Sequence, residues 1–476
     1  MSVKHTDLPS LTEGPIVPLL IRLSVPIVFA NILQSAYQIV DTFWVGRLSA
    51  QAVAAVSLCF PVSFFLIAIG GGLPMAGAIL IAQYKGKGDD DAVQHVAAQT
   101  MLFIFVIALF ITSIGWFIAE PILSFMGAES DVLPDATRYL QFTFLGYIFV
   151  FGFFAYQSLM RGLGIVKFPM YIVLGTVILN LILDPLFIFG WGPIPGFGVS
   201  GAALATLFTQ AFATLIAFVS LSTGQHGIHL RLKELRPDFP FMRQAFLIGL
   251  PASLEQSSRS MGMIAMTMLV ASFGTTVVAA YGIGMRILMF VAMPAMGLSM
   301  ATSTFVGQNI GAGKIKRAER TTLLASVLIF FVLISIAIVL YPFTPDLARF
   351  FMPEGGEAIA YSAHFMRIVL FAASLMGIAM VINGTFRGAG DMRSAMVFAF
   401  VSHWLLQLPL AYVLSKYTSL GFEGIWWSYL ISDCIATVLV ILWYLRGGWK
   451  KKELLSNVQL QRKARDETVM EEGILS

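Results

Sequence analysis

Apolar residues along this chain gather into runs of about 20, the length that crosses a bilayer core as a helix. Short clusters of glycine, proline and charge separate them. Taking those clusters as breaks predicts twelve helical spans, at 16–44, 53–83, 96–118, 135–160, 166–190, 199–222, 241–271, 276–307, 319–342, 358–386, 393–415 and 423–446. No polar stretch between them is long enough for a soluble domain. The expected fold class is an all-α integral membrane protein.

The runs also repeat. At a spacing of 225–226 residues, Pro26 matches Pro251, and Gly72-Leu-Pro-Met-Ala76 matches Gly297-Leu-Ser-Met-Ala301. Gln83-x-x-Gly-x-Gly88 matches Gln308-x-x-Gly-x-Gly313, and Arg161-Gly-x-Gly164 matches Arg387-Gly-x-Gly390. After a three-residue gap, Gly198-x-x-Gly201 matches Gly421-x-x-Gly424. Six spans per repeat is an even number, so both repeats enter the membrane from the same side. That predicts two parallel six-helix lobes related by a pseudo-two-fold along the membrane normal, an arrangement known from secondary transporters. The expected division is an N-lobe at 1–222, a polar, basic linker at 223–240, a C-lobe at 241–446 and a charged tail at 447–476.

Charge then orients the spans. With the N-terminus inside, inner loops and termini carry 22 Lys and Arg and outer loops three, Arg47, Arg349 and Lys416. By the positive-inside rule both termini are expected to be cytoplasmic. Met1–Gly14 lacks the basic region, apolar core and small-residue cleavage site of a signal peptide, so the first helix is expected to direct insertion. Composition agrees with the pattern: of 476 residues 58% are hydrophobic and 12% charged, against about 25% charged in soluble domains. A net charge of +4 leaves no nucleic-acid footprint. Cys59 and Cys434 lie in apolar runs and read as small apolar side chains.

Against this apolar background an acid is costly and a functional candidate by default. Asp41 ends the face Gln34, Tyr37, Asp41, spaced i, i+3 and i+7 on the first span, downstream of Pro26, which weakens that helix. The fifth span offers Asn180 and Asp184 one turn apart, and Pro185 leaves the Leu181 carbonyl without its usual donor. Counting turns from the outer ends places Asp41, Asn180, Asp184, Thr206 of the sixth span and Tyr139 of the fourth at one depth. Two carboxylates in a low-dielectric pocket repel, so one of them keeps a proton near neutral pH. Alternatively a cation satisfies both, and hard oxygen ligands suit Na⁺.

The second half carries a different polar set, Glu255, Arg259, Arg286, His403, Gln407 and Asp433. Glu255 and Arg259, at i and i+4, are placed to neutralise each other. His403 is either a proton relay or a hydrogen-bonded core residue, and Arg286 is the expected partner of Asp433. Nine methionines between Met261 and Met300 suit either an adaptable cavity or a lipid-facing surface. His226-x-x-His229 has metal-like spacing without a third ligand and reads as solvated loop.

Val40-Asp-Thr-x-x-Val-Gly-Arg47, Arg161-Gly-x-Gly164, Asn180-x-x-x-Asp184-Pro185 and Gly201-Ala-Ala-x-Ala-Thr206 together resemble the multidrug and toxic-compound extrusion (MATE) family, and most closely its DinF-like prokaryotic branch. The likeness covers all twelve spans. It implies two lobes in a V shape and antiport of amphiphilic, often cationic drugs against H⁺ or Na⁺. It implies a monomer of the cell membrane that meets small-molecule substrates and lipids, and neither an enzyme nor a cofactor-dependent protein. Positions matching Asp41, Asn180, Asp184 and Thr206 form the family's cation or proton site. Those matching Pro26, Gln34, Tyr37 and Tyr139 are associated with helix bending and the adjoining cavity. In the second repeat Met266 replaces Asp41, and Leu410 or its neighbours replace Asp184, so coupling is expected in the N-lobe alone. The NorM-like branch has acids in its seventh and tenth spans. Glu255 matches the first and nothing matches the second, which argues against a C-lobe Na⁺ site.

The runner-up is a lipid-linked saccharide flippase on a related scaffold, which needs a strongly cationic cavity. An intramembrane enzyme would need a nucleophile with its base or a metal cluster, and the spans offer neither. A receptor would not need duplicated lobes and paired acids.

Overall fold

The computed structural model describes residues 11–230, 235–353, 355–452 and 454. Lys4, Arg231 and Lys233 of the charge count, and most of the tail at 447–476, lie outside the described residues.

The first half builds α1 (Ile16–Gly46), α2 (Ala50–Gly70), α3 (Gly72–Lys87), α4 (Asp90–Phe125), α5 (Leu133–Gly162), α6 (Lys167–Phe189) and α7 (Val199–Thr223). A two-stranded hairpin, β1 (Gly190–Trp191) and β2 (Ile194–Pro195), joins α6 to α7. The second half builds α8 (Phe239–Ala271), α9 (Thr275–Gly311), α10 (Ile315–Leu340), α11 (Thr344–Phe351), α12 (Glu357–Gly388), α13 (Met392–Phe400), α14 (Leu408–Lys416) and α15 (Glu423–Leu445). Starts are capped where the sequence turns polar. The Ser49 and Asp89 side chains each accept a backbone N–H, from Ala52 and Ala92, and so satisfy donors that α2 and α4 leave open.

These helices make the twelve expected spans. The pairs α2–α3 and α10–α11 each form one span, and α13 and α14 join through a π-helical segment, Val401–Gln407. Among the described residues eleven spans are long and apolar enough to cross a membrane by composition. The twelfth is α8, whose apolar run is broken by Ser253, Glu255, Gln256, Ser257, Ser258, Arg259 and Ser260.

Packing forms two compact units, one built on Phe29–Ser253 and the other on Ser10–Val28 with Leu254–Ser476. The cuts fall inside α1 and α8, each two residues after a proline, Pro26 or Pro251. They therefore lie away from the expected boundaries at 222/223 and 240/241. Glycine contacts explain why. In the first unit a Cβ on Gly72 would sit 2.2 Å from the Gly249 carbonyl oxygen and 2.3 Å from Ser253 Oγ. In the second, a Cβ on Gly297 would sit 2.4 Å from Val28 Cγ2 and 3.3 Å from the Ser24 carbonyl oxygen. Only glycine admits approaches this close. They hold the first half of α8 against α3 and the first half of α1 against α9.

The first core is an aromatic column, Phe144, Tyr147 and Phe151, between α2, α4 and α5. The second unit buries Tyr281, Phe365 and Trp426 against one another.

The linker after α7 is docked rather than solvated, which corrects the expectation for its histidines. Gln94 of α4 bridges the Gly227 carbonyl at 2.8 Å and the His229 N–H at 2.6 Å. Gln99 bridges Arg236 and Asp238 in the same way, at 2.7 and 2.9 Å. Ile228 is buried. His226 packs against Phe168 in a tilted arrangement with ring centroids 4.5 Å apart, and its Nδ1 meets Ser220 Oγ at 3.1 Å. Of the two histidines, His229 has the exposed side chain.

Burial holds the His226 imidazole below its ordinary pKa, because the charged ring would lose hydration. The docked linker thus binds fewer protons than an undocked one. Docking is fully favourable above about pH 6.5, the ordinary histidine value, and weakens as pH falls below it. Hydrogen-exchange protection factors at 225–230 are expected to drop between pH 7.5 and 5.5 in wild type and to stay flat in His226→Phe. The comparison isolates His226 from His95, which pairs with Asp238 at 3.2 Å. Equal pH dependence in both proteins would remove His226 as the cause.

Candidate functional site

Four helices of the first unit bring the predicted acids together. On α6 the Asn180 amide donates to Asp184 Oδ1 at 2.7 Å, and both side chains are fully buried. This i, i+4 contact is what the sequence spacing implied. On α1, Tyr37 and Asp41 lie one turn apart. The Tyr37 hydroxyl meets Thr209 Oγ1 of α7 at 2.7 Å, with Thr206 also within hydrogen-bonding reach. Asp41 lies close enough to interact electrostatically with Asp184, Tyr37 and Tyr139 of α5.

The important feature is what these groups leave unsatisfied. Asp41 Oδ1, Asn180 Oδ1 and Asp184 Oδ2 are buried acceptor oxygens with no hydrogen-bond donor. Buried polar atoms are nearly always paired, and an unpaired one costs about 1–3 kcal/mol. Three acceptors without donors, two of them on carboxylates, make a set of hard oxygen atoms whose chemistry suits a proton or Na⁺. Hydroxyls of Thr206, Thr209 and Tyr37 lie beside them.

Two of the expected residues stand apart. Gln34 is exposed and joins no hydrogen bond of the cluster, although it shares the face of Tyr37 and Asp41. Pro26 is buried four turns before Asp41, where the packing units divide, and α1 runs through it as continuous helix. Thr209 is the residue that sequence reasoning missed. Its signal was present, since it lies at i+3 from Thr206 on the same face of α7.

The second unit holds a different site. At the position of Asp41 the side chain of Met266 is buried. Glu255 receives Arg387 through both oxygens, Nε to Oε2 at 3.3 Å and the terminal nitrogen to Oε1, while Arg259 reaches Oε1 at 3.5 Å. The expected Glu255–Arg259 pair therefore exists but is the longer contact. Arg387 marked the repeat in the sequence, and nothing there pointed to Glu255 as its partner. His403 donates its Nδ1–H to Gln407 Oε1 at 2.8 Å within the π-helical segment, where Pro409 lacks the N–H that would bond Leu405 in an α-helix. Trp404 donates its indole N–H to Ser258.

The pairing expected for Asp433 is corrected. Among the described residues neither Asp433 nor Arg286 makes an ion pair, because Arg286 lies on the exposed side of α9. Asp433 lies instead near Tyr429, whose hydroxyl bonds Tyr281 at 2.7 Å. The methionines divide: Met266 and Met293 are buried, and Met261, Met268 and Met289 are exposed.

A sequence model of the MatE family matches residues 26–186 and again 251–413, starting at Pro26 and Pro251 and so reproducing the internal repeat. The chain is 31% identical to a probable multidrug resistance protein, YoeA of Bacillus subtilis, over 91% of this chain and 94% of that one. Two crystal structures are similar throughout. One of a MATE in a bent conformation has a TM-score of 0.87 and 26% identity, covering 94% of this chain and 99% of that one. One in a straight conformation has a TM-score of 0.86 and 26% identity, covering 93% and 98%.

Proposed function

Because the chain belongs to the multidrug and toxic-compound extrusion family, a family of membrane efflux transporters and not of enzymes, we propose that it exports amphiphilic, mostly cationic compounds in exchange for H⁺ or Na⁺. Drug extrusion follows from the relatives. The coupling is read from this chain. What carries it is the set of three buried acceptors without donors on Asp41, Asn180 and Asp184, beside Thr206 and Tyr37. The second unit has no counterpart, since Met266 occupies the position of Asp41.

A cation entering this set supplies the missing donor or ligand and removes the repulsion between two carboxylates. The arrangement of α1, α6 and α7 that brings the acids together is thereby favoured over one that separates them. Such a bias drives transport when substrate affinity differs between the two arrangements. Pro26, upstream of the acids, is where α1 has no backbone bond to lose on bending. The lysine and arginine bias supports cytoplasmic termini in the cell membrane, with each chain acting alone.

The test is ethidium transport by purified protein in proteoliposomes, with a pH gradient and a Na⁺ gradient imposed separately. Transport is expected to follow at least one gradient, which names the ion. Wild-type transport indifferent to both would end the coupling proposal while leaving the family assignment untouched.

A further inference from the structure

Two guanidiniums share one carboxylate in the second unit. Glu255, with its side chain 4% exposed, binds Arg387 and Arg259 together. Their three formal charges sum to one positive charge. Among the described residues no other carboxylate joins the cluster: Arg259 interacts electrostatically with Glu255 and Arg387, and the nearby His403 with Arg259 and Glu255. An unbalanced guanidinium at membrane depth requires a counter-charge.

The geometry indicates which of the two has capacity to spare. Arg387 spends two nitrogens on Glu255 and is only 15% exposed. Arg259 makes one longer contact, its Nε–H is buried with no acceptor, and its side chain keeps 31% exposure. A guanidinium offers five donors in a planar fork that fits carboxylate or phosphate oxygens two at a time. Beside it lies the His403–Gln407 pair on the widened π-helical turn, a distortion frequent at functional sites. The repeat supplies a contrast, because Ala30 and Gln34 occupy the positions of Glu255 and Arg259 in the first half.

We propose that this cluster is an anion subsite: Arg259, anchored by Glu255, receives a carboxylate or phosphate oxygen of an amphiphile, carried either by an exported solute or by a membrane phospholipid. A single surplus charge suits a monoanion. It does not meet the demand of a pyrophosphate carrier. Glu255 acts as a positioning residue that fixes the guanidinium, and its charge is already spent, so the site is not a cation site. The subsite stands on residues of the second unit alone and does not depend on the coupling proposed for the first.

The test uses the full chain in phosphatidylcholine nanodiscs and two dyes that differ only at one group. Rhodamine 110 has a free carboxylate, and rhodamine 123 is its methyl ester. Arg259→Met is expected to weaken rhodamine 110 binding by about tenfold, the value of a charged hydrogen bond, and to leave rhodamine 123 unchanged, which also verifies folding. Arg259→Lys should recover part of the loss. A parallel arm adds phosphatidylglycerol and reads retained lipid by native mass spectrometry. Retention by wild type and loss in Arg259→Met, with both dyes indifferent to the substitution, identifies the phospholipid as the source. Equal loss of both dyes overturns the proposal. So does a wild type that prefers neither the carboxylate dye nor phosphatidylglycerol over its uncharged-headgroup counterpart.

Discussion

Asp41→Asn and Asp184→Asn are each expected to abolish gradient-driven dye export while leaving the protein folded. The exchange keeps the side chain's shape and removes a charge from a buried site where Asp41 Oδ1 and Asp184 Oδ2 lack donors. Folding therefore loses nothing and the cluster's internal repulsion disappears. What is lost is the site's ability to distinguish an empty state from a loaded one. Coupling between sites in proteins is worth about 1–3 kcal/mol, or 5–150-fold in affinity, and this whole quantity should vanish. Export in everted vesicles should fall to the passive leak. If the ion is Na⁺, wild type should also melt at higher temperature as Na⁺ rises, by ligand linkage, and Asp184→Asn should not. Asn180→Ala should act in the same direction but less strongly, because Asp184 Oδ1 then loses its 2.7 Å donor. Near wild-type export by a correctly folded Asp41→Asn protein would refute the mechanism.

The largest loss of stability is expected from Glu255→Ala. That carboxylate is buried and is the ion-pair partner of both Arg387 and Arg259. Removing it strands two guanidiniums in the low-dielectric interior, and breaking a buried pair in this way costs about 3–5 kcal/mol. The double variant Glu255→Ala/Arg387→Met removes one of the two stranded charges with the acid and should recover part of the lost melting temperature. The coupling measured by such a cycle is the interaction itself. Additive losses in the double variant would show that Glu255 and Arg387 are energetically independent, against their bidentate geometry.

The two predictions involve residues that were unequally visible in the sequence. Asp41, Asn180, Asp184 and Thr206 could be placed together because the lysine and arginine bias gives three spans an expected direction, and counting turns along them then gives depth. Contacts within one helix, such as Asn180 to Asp184, followed from periodicity alone. The links between helices did not. Thr209 as the partner of Tyr37, and Arg387 rather than Arg259 as the nearer partner of Glu255, depend on how helices rotate about their axes, which hydropathy leaves open. Asp433 shows the opposite failure. A charge-balance argument paired it with Arg286, but Arg286 lies on an exposed face of its helix.

The chain alone determined the number of spans, their division into two repeats and the concentration of acids in the first. Span length against bilayer thickness, the even count of spans per repeat and the cost of a buried charge are local or additive properties, readable residue by residue. Only the tertiary structure decided where the packing units divide, within α1 and α8 just after Pro26 and Pro251. It alone revealed that the linker is docked, that Val401–Gln407 widens into a π-helix, and that Asp41 Oδ1 and Asp184 Oδ2 lack donors while Arg259 Nε lacks an acceptor. Satisfaction of a buried polar atom depends on every neighbour that packs around it. No single segment carries that information.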